Sequence, residues 1–273
     1  MMLFQSPMFA MMVALFLWWF FTGCIMLAVR FADRRGGNAH FMLWVTAAPF
    51  IGVGVYCVAY SLDTTTVLSS YIGFIGALLV WGWLELGFLT GVVTGEHDHH
   101  AQAPRSVGPQ SNLMGAVKAL MYHEISLLLG LLLLLVMSHE AHNHIAVYTY
   151  AILFVARIGA KLNLFFGVPR INKQFIPARL LHLKGFLHEG PISIAFPIVI
   201  TALTGLLVLL LFALWRAEEQ GVIVAHALLA SLAGLALLEH WLMVVPLPDA
   251  KLWQWMLPES VQEYEEKGKY HEL

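Results

Sequence analysis

The residues of this chain best placed to do chemistry are those it keeps where charge is expensive. Glu239 and His240 stand inside an otherwise apolar run from about Val222 to Val245. A carboxylate near the middle of a membrane helix costs about 2.5–3.5 kcal/mol on insertion scales, so by default it has a partner and a purpose. Glu85, the adjacent His123 and Glu124, and the pair Arg157 and Lys161 each occupy an apolar run of their own. Three carboxylates, two imidazoles and two cations admit three kinds of chemistry. In the first, Arg157 and Lys161, four residues apart and hence on one helix face, oppose the three glutamates in an ion-pair network. Such a network satisfies each charge and pins helix packing. In the second, carboxylates and imidazoles together bind iron, manganese or zinc. Glu85, His123, Glu124, Glu239 and His240 are numerous enough for a two-metal centre built from facing helices. Spacing counts against the familiar version, because these runs hold no Glu-x-x-His, His-x-x-x-His or His-x-x-His-His pattern. Adjacent His and Glu also diverge by about 100° on a helix. In the third, a neutral His123 or His240 ligates the magnesium of a chlorophyll-type ring, with Trp81, Trp83, Phe165, Phe166 and Trp241 as candidates to pack its faces. On the residues alone all three stay open.

The elements that must position these groups are membrane helices. The chain of 273 residues is 59% hydrophobic and 12% charged, with a mean hydropathy of +0.74. A soluble domain carries about 25% charged residues, so the class is an integral, all-α membrane protein. The net charge of −2 comes without a basic block, which excludes nucleic acid as a partner. Cys24 and Cys57 lie in apolar runs and read as buried hydrophobes rather than a disulfide. Crossing a hydrocarbon core about 30 Å thick takes roughly 20 helical residues. Seven runs qualify, at about 8–29, 40–62, 67–93, 116–138, 144–166, 191–215 and 222–245, in one integral membrane domain spanning 1–273 with a tail from 246 to 273. The first is too long for a signal-peptide core and lacks a basic leader, so it reads as a retained helix. Continuous apolar character without period-2 alternation favours helices over a barrel. Pro49 and Pro197 are expected to kink the second and sixth helices, and Pro191 to occupy the first turn of the sixth.

Basic residues set the orientation. Arg30, Arg34, Arg35, Arg105, Arg170, Lys173, Arg179, Lys184, Lys251, Lys267 and Lys269 fall on one side, and Arg216 alone on the other. The N-terminus is therefore expected outside and the C-terminus in the cytoplasm. Trp253 and Trp255 then read as an interfacial anchor. At 1.5 Å per residue, Glu85 lies about 12 Å below the cytoplasmic boundary, His123 and Glu124 about 11 Å, Arg157 and Lys161 about 14 and 8 Å, and Glu239 and His240 about 8–9 Å. Four helices thus place their costly groups in one slab. The other polar clusters carry less. The run Glu96 to His100 and the turn His139 to His144 read as solvated histidines. Glu189 is expected to favour the positive end of the sixth helix. Gly167 and Pro169 should end the fifth, with Arg170, Lys173 and Arg179 as a basic rim for an anionic group.

The strings WGWLELGFLTG (81–91), YHE (122–124), ARIGAKLNLFFGVPRIN (156–172) and LEHWLMVVPLPDAKLWQWML (238–257) resemble the photosynthetic complex assembly protein 2 family, the PuhE-type membrane proteins of purple phototrophs. The resemblance runs from Leu17 to Leu257. It implies a photosynthetic (intracytoplasmic) inner membrane of a bacterium as the location, and reaction-centre and light-harvesting subunits as partners beside the lipid bilayer. The implied role is in assembling that complex or in regulating or delivering bacteriochlorophyll or a precursor. It implies no catalytic mechanism. The motif-bearing positions, Glu85, His123, Glu124, Arg157, Lys161, Asn163, Glu239 and His240, coincide with the slab. His123, His240, Arg157, Lys161 and Asn163 are the candidates for holding a cofactor. The rival expectation is a membrane metalloenzyme, for example a di-metal oxidoreductase acting on a tetrapyrrole or isoprenoid.

Overall fold

The computed structural model describes residues 2–94, 109–171 and 176–246. The Glu96–His100 run, Arg105, Asn172, Lys173 and the tail from residue 247, with Lys251, Trp253, Trp255, Lys267 and Lys269, lie outside the described residues. Among the described residues the chain is helical: α1 (Pro7–Arg35), α2 (Ala39–Thr46), α3 (Ala48–Ser61), α4 (Val67–Leu89), α5 (Pro109–Met137), α6 (Ile145–Phe166), α7 (Ala195–Arg216) and α8 (Gln220–Leu242). Short 3-10 helices cover Met2–Gln5 and Ala178–Phe186. Seven helical segments are long and apolar enough to cross a membrane, with α2 and α3 counting as one. The chain is a multi-pass membrane protein.

Several boundaries differ from the sequence expectation for local reasons. At 29 residues, α1 is about 43 Å long and overhangs a 30 Å core; the overhang carries Arg30, Asp33, Arg34 and Arg35. The break in the second span falls at Ala47, because Pro49 offers no N–H and is tolerated only in the first turn of a new helix. Helix α4 starts on a capping box in which Thr66 accepts from the Ser69 N–H and the Ser69 hydroxyl accepts from the Thr66 N–H. It stops at Leu89 because Gly91, at φ +72, turns the chain so that Val92 and Val93 donate back to the Gly87 carbonyl. Pro191 does not open the sixth span, which begins at Ala195. Residues 188–193 bond instead to the end of α6: His188 donates to Leu164, Val168 to His188, Gly190 to Val168 and Ser193 to Gly167. Glu189 is therefore in a bridge with Val168 rather than at a helix start. Pro197 is the third residue of α7, in the turn whose N–H groups need no helical partner, and so introduces no mid-helix kink. Cys24 is exposed on α1 rather than buried, and both cysteines are free.

Two helices organise the bundle. Helix α4 packs against α1, α3, α5, α6 and α8, and α8 against α1, α4, α6 and α7. Their contacts are densest in one half. There Phe74, Leu78, Ile145, Ile152, Val224, Leu228 and Leu232 form a continuous buried cluster, and Val58, Val80, Leu127, Leu134 and Tyr150 form a second beside it. Every one of these helices then continues toward the end where Arg34, Arg35 and Arg170 lie, called here the basic end. Toward that end the packing opens. Tyr150 belongs to the dense half: it is fully buried, and its hydroxyl donates to the Leu127 carbonyl at 2.9 Å. Tyr150→Phe removes that bond without changing the shape of the ring. It should cost about 1 kcal/mol in a denaturation midpoint, the net worth of one buried hydrogen bond.

Candidate functional site

In the half toward the basic end, α1, α4, α6 and α8 enclose a chamber of about 310 Å³. Its walls include Trp18, Phe21, Thr22 and Met26 of α1, Trp81 and Glu85 of α4, Ala156, Arg157 and Ala160 of α6, and Leu232, Ala236 and Glu239 of α8. A second chamber of about 450 Å³ lies beyond it, between the ends of α4, α6 and α8, the start of α5 and the 176–187 segment. Trp18, Thr22, Met26, Leu89, Arg157, Pro177 and Glu239 line both. They form a neck, so the two spaces are one pocket with an inner and an outer part. Each is within the ordinary range for a small-molecule site, and both are mostly apolar with a few polar groups.

The outer chamber owes its roof to the strap between α6 and α7. Gly167, at φ +123, lets the chain leave α6 sharply, and the backbone bonds of residues 188–193 pin the far end of the strap to the same place. Between them, Leu180, Leu183, Phe186 and Leu187 face the chamber. Arg179 reaches across to donate to the Gly37 carbonyl of the α1–α2 turn at 3.3 Å. Gly115 of α5 sits close under Phe186: a β-carbon there would be 3.1 Å from the ring.

The polar residues singled out by depth all fall at this level, but they divide into separate groups. Arg157 Nη2 donates to Glu85 Oε2 at 2.8 Å, joining α6 to α4. Lys161 Nζ donates to Glu124 Oε1, joining α6 to α5. Phe88 of α4 lies between these pairs, 5.5 Å from the Arg157 guanidinium and 5.6 Å from Lys161 Nζ, and stacks on His123 at 4.3 Å. His123 is fully buried behind Phe88, with Nε2 3.6 Å from Glu85 Oε1, just outside hydrogen-bond reach. Glu239 stands in the neck with no hydrogen bond or ion pair among the described residues. His240, the next residue, points elsewhere. Its Nδ1 donates to the Ala236 carbonyl at 2.7 Å, which leaves Nε2 as the lone-pair nitrogen. That nitrogen is buried without a hydrogen-bond partner among the described residues. It faces α6, where a β-carbon on Gly159 would come 3.2 Å from it and 2.7 Å from a Val199 methyl. Asn163, one turn further along α6 than Gly159, is also fully buried, and its amide has no hydrogen-bond partner among the described residues.

The five residues considered as metal ligands therefore do not converge. Glu85 goes with His123 and Arg157, Glu124 with Lys161, Glu239 to the neck, and His240 to the α6–α7–α8 contact. Among the described residues no three His, Cys, Asp or Glu side chains are grouped as a metal-holding set. Among the described residues neither chamber has a histidine in its lining, so a ring in the pocket would meet neither His123 nor His240. Of the aromatic residues expected around a pigment, Trp81 lines the inner chamber and Phe165 the outer. Trp83 instead stacks on Trp44 at 4.7 Å, Trp241 lies edge-on to Phe196, and Phe166 is exposed.

Sequence reasoning missed Trp18, Thr22, Phe88 and the apolar underside of the strap. Phe88 carried a usable signal, being three residues from Glu85 and so on its helix face. Trp18, Thr22 and Met26 repeat every four residues along α1, but nothing in an apolar helix says which stripe faces a cavity. Because Gly159 is where α6 meets both α7 and His240, Gly159→Leu should push α7 and α8 away from α6. The expected outcome is a loss of about 2–3 kcal/mol of stability by overpacking, measured against Gly82→Ala, whose added carbon meets its nearest neighbour at 3.5 Å.

A family model described as Protein of unknown function (DUF3623) matches residues 4–264. A Rhodobacter capsulatus protein described as "Uncharacterized 30.4 kDa protein in puhA 5'region" is 41% identical over 254 residues, covering 93% of this chain and 92% of that protein. No solved structure matches.

Proposed function

The chain belongs to the DUF3623 family, and on that footing we propose that it is an assembly factor of the photosynthetic complex in the bacterial inner membrane. In this reading it holds bacteriochlorophyll or a precursor in the two-chambered pocket and passes it to reaction-centre or light-harvesting subunits. The N-terminus lies outside and the C-terminus in the cytoplasm, which puts the pocket in the cytoplasmic leaflet. The relative's place in the puhA 5' region of a phototroph points to a photosynthesis-related role. The observation that carries the finer reading is the pocket itself. A mostly apolar cavity at membrane depth, walled by Trp18, Phe21 and Trp81 and closed by a strap, suits a large apolar ring. The dispersal of the carboxylates and imidazoles gives a metalloenzyme no comparable support.

The test is pigment content. Protein purified in mild detergent from phototrophically grown cells should carry bacteriochlorophyll or a precursor at a fixed ratio. Ala160→Trp fills the inner chamber from its α6 wall and should cut that ratio at least about tenfold while the protein remains monodisperse. Cross-linking in membranes should capture reaction-centre or antenna polypeptides. Folded wild-type protein that carries no pigment and captures no such polypeptide would sink the proposal.

A further inference from the structure

The pocket carries charge at the neck and in the outer chamber. The charged residues lining the inner chamber are Glu85, Arg157 and Glu239. Arg157 is already bonded to Glu85, so Glu239, which lines both chambers, is the acid that has no hydrogen bond or ion pair among the described residues. Those lining the outer chamber are Arg157, Lys161, Arg170 and Glu239. Lys161 is bonded to Glu124, and the Arg170 side chain has no hydrogen bond or ion pair among the described residues, its backbone N–H alone being bonded, to Met243. The outer chamber therefore keeps one base whose side chain has no partner among the described residues. Glu239, exposed in the neck, and Arg170, which lines the outer chamber alone, are thus the lining charges left for a ligand to meet.

Resting on the reading of the pocket as a pigment site, we propose that its ligand is gripped at two points. A positively polarised centre sits against Glu239 in the neck, and a free carboxylate sits on Arg170, with Lys161 beside it. For a chlorophyll-type ring the centre is the magnesium, a hard cation that takes carboxylate oxygen, and the carboxylate is the propionate before it is esterified. Glu239 then stands where a histidine ligand would be expected, and the two histidines of the slab are excluded by their placement behind Phe88 and against Gly159. An anionic lipid satisfies Arg170 but would lay its hydrocarbon tail on Glu239, so it fits only one of the two points. The class this geometry selects is the magnesium-bearing, unesterified ring rather than the finished, tail-bearing pigment.

The experiment is an equilibrium titration of the full-length protein in detergent with four probes and a competitor. The probes are a chlorophyll-type ring with and without magnesium, each as the free acid and as its methyl ester; the competitor is palmitic acid. Wild type should bind the magnesium-bearing free acid at least about tenfold more tightly than either the metal-free acid or the magnesium-bearing ester, about 1.4 kcal/mol for each point. Glu239→Gln should abolish the preference for magnesium and keep the preference for the acid. Arg170→Gln should do the reverse. Palmitic acid should not displace the ring at matched concentration. Equal binding of acid and ester, equal binding with and without magnesium, displacement by palmitic acid, or preferences that survive both substitutions would each overturn the two-point grip. If Glu239→Gln fails to fold, Arg170→Gln and the wild-type preferences still decide. Folded wild type that binds none of the four rings would instead overturn the pigment reading on which the proposal rests.

Discussion

Replacing Arg157 with Met is expected to be among the most damaging single changes in the chain, costing about 3–5 kcal/mol, because it strands a buried carboxylate. Arg157 is the cation hydrogen-bonded to Glu85, which is only 8% exposed, and it shares the neck with Glu239 without an ion pair to it. Removing it leaves Glu85 in an apolar wall with only His123 beside it, at 3.6 Å, and takes the nearest cation from Glu239. Glu85→Gln in the same chain should recover at least half of the loss, since the neutral amide no longer needs the guanidinium. Thermal or denaturant midpoints of the two single variants and the double variant measure this directly, and simple additivity would show that the pair does not couple. The same design separates the second pair. Lys161→Met should be relieved by Glu124→Gln and left unrelieved by Glu239→Gln, because Lys161 is bonded to Glu124.

That last contrast shows how far the sequence could be read. Depth along each helix placed Glu85, Glu124, Arg157, Lys161 and Glu239 at one level, and the structure brings them to the same end of the bundle. Depth alone opposed Lys161 to all three glutamates, because rise per residue says nothing about rotation about a helix axis. Which carboxylate meets which cation depends on how α4, α5 and α6 are turned toward one another, and their nearly uniform apolar surfaces do not encode that in a readable stripe. The same gap explains the histidines. His240 adjoins Glu239 in sequence, yet about 100° of helical turn sends one to the neck and the other into the α6–α7 contact. The spans themselves were legible because lipid forces every crossing segment to be long and apolar. The strap was not, since Pro191 and Glu189 look like a helix start until their backbone groups are seen bonded to the end of α6.

Gly221→Ala should be the most severe small substitution in the chain, and its consequence reaches the pocket from the far end. Gly221 is the second residue of α8 and lies against the α3–α4 turn. A β-carbon there would overlap the Thr65 carbonyl oxygen and stand 2.6 Å from the Thr65 carbonyl carbon. Both neighbours are backbone, so no side chain can swing aside. The turn cannot retreat either. Thr65 is tied to His142 through its hydroxyl, Thr66 and Ser69 are locked in the capping box, and Asn143 donates to the Thr64 carbonyl. The helix must therefore move, and α8 is the element that packs on α1, α4, α6 and α7. A helix is stiff along its axis, so displacing its first turn carries Glu239 out of the neck opposite Arg157. The expected result is a loss of about 3 kcal/mol or more, together with loss of pigment from whatever protein still folds. Ser70→Ala is the control, because it deletes only the hydroxyl that donates to the Gly221 carbonyl at 3.0 Å and should cost about 1 kcal/mol with pigment retained. If Gly221→Ala were as mild as Ser70→Ala, the close approach of α8 to the turn would not be what sets the position of Glu239.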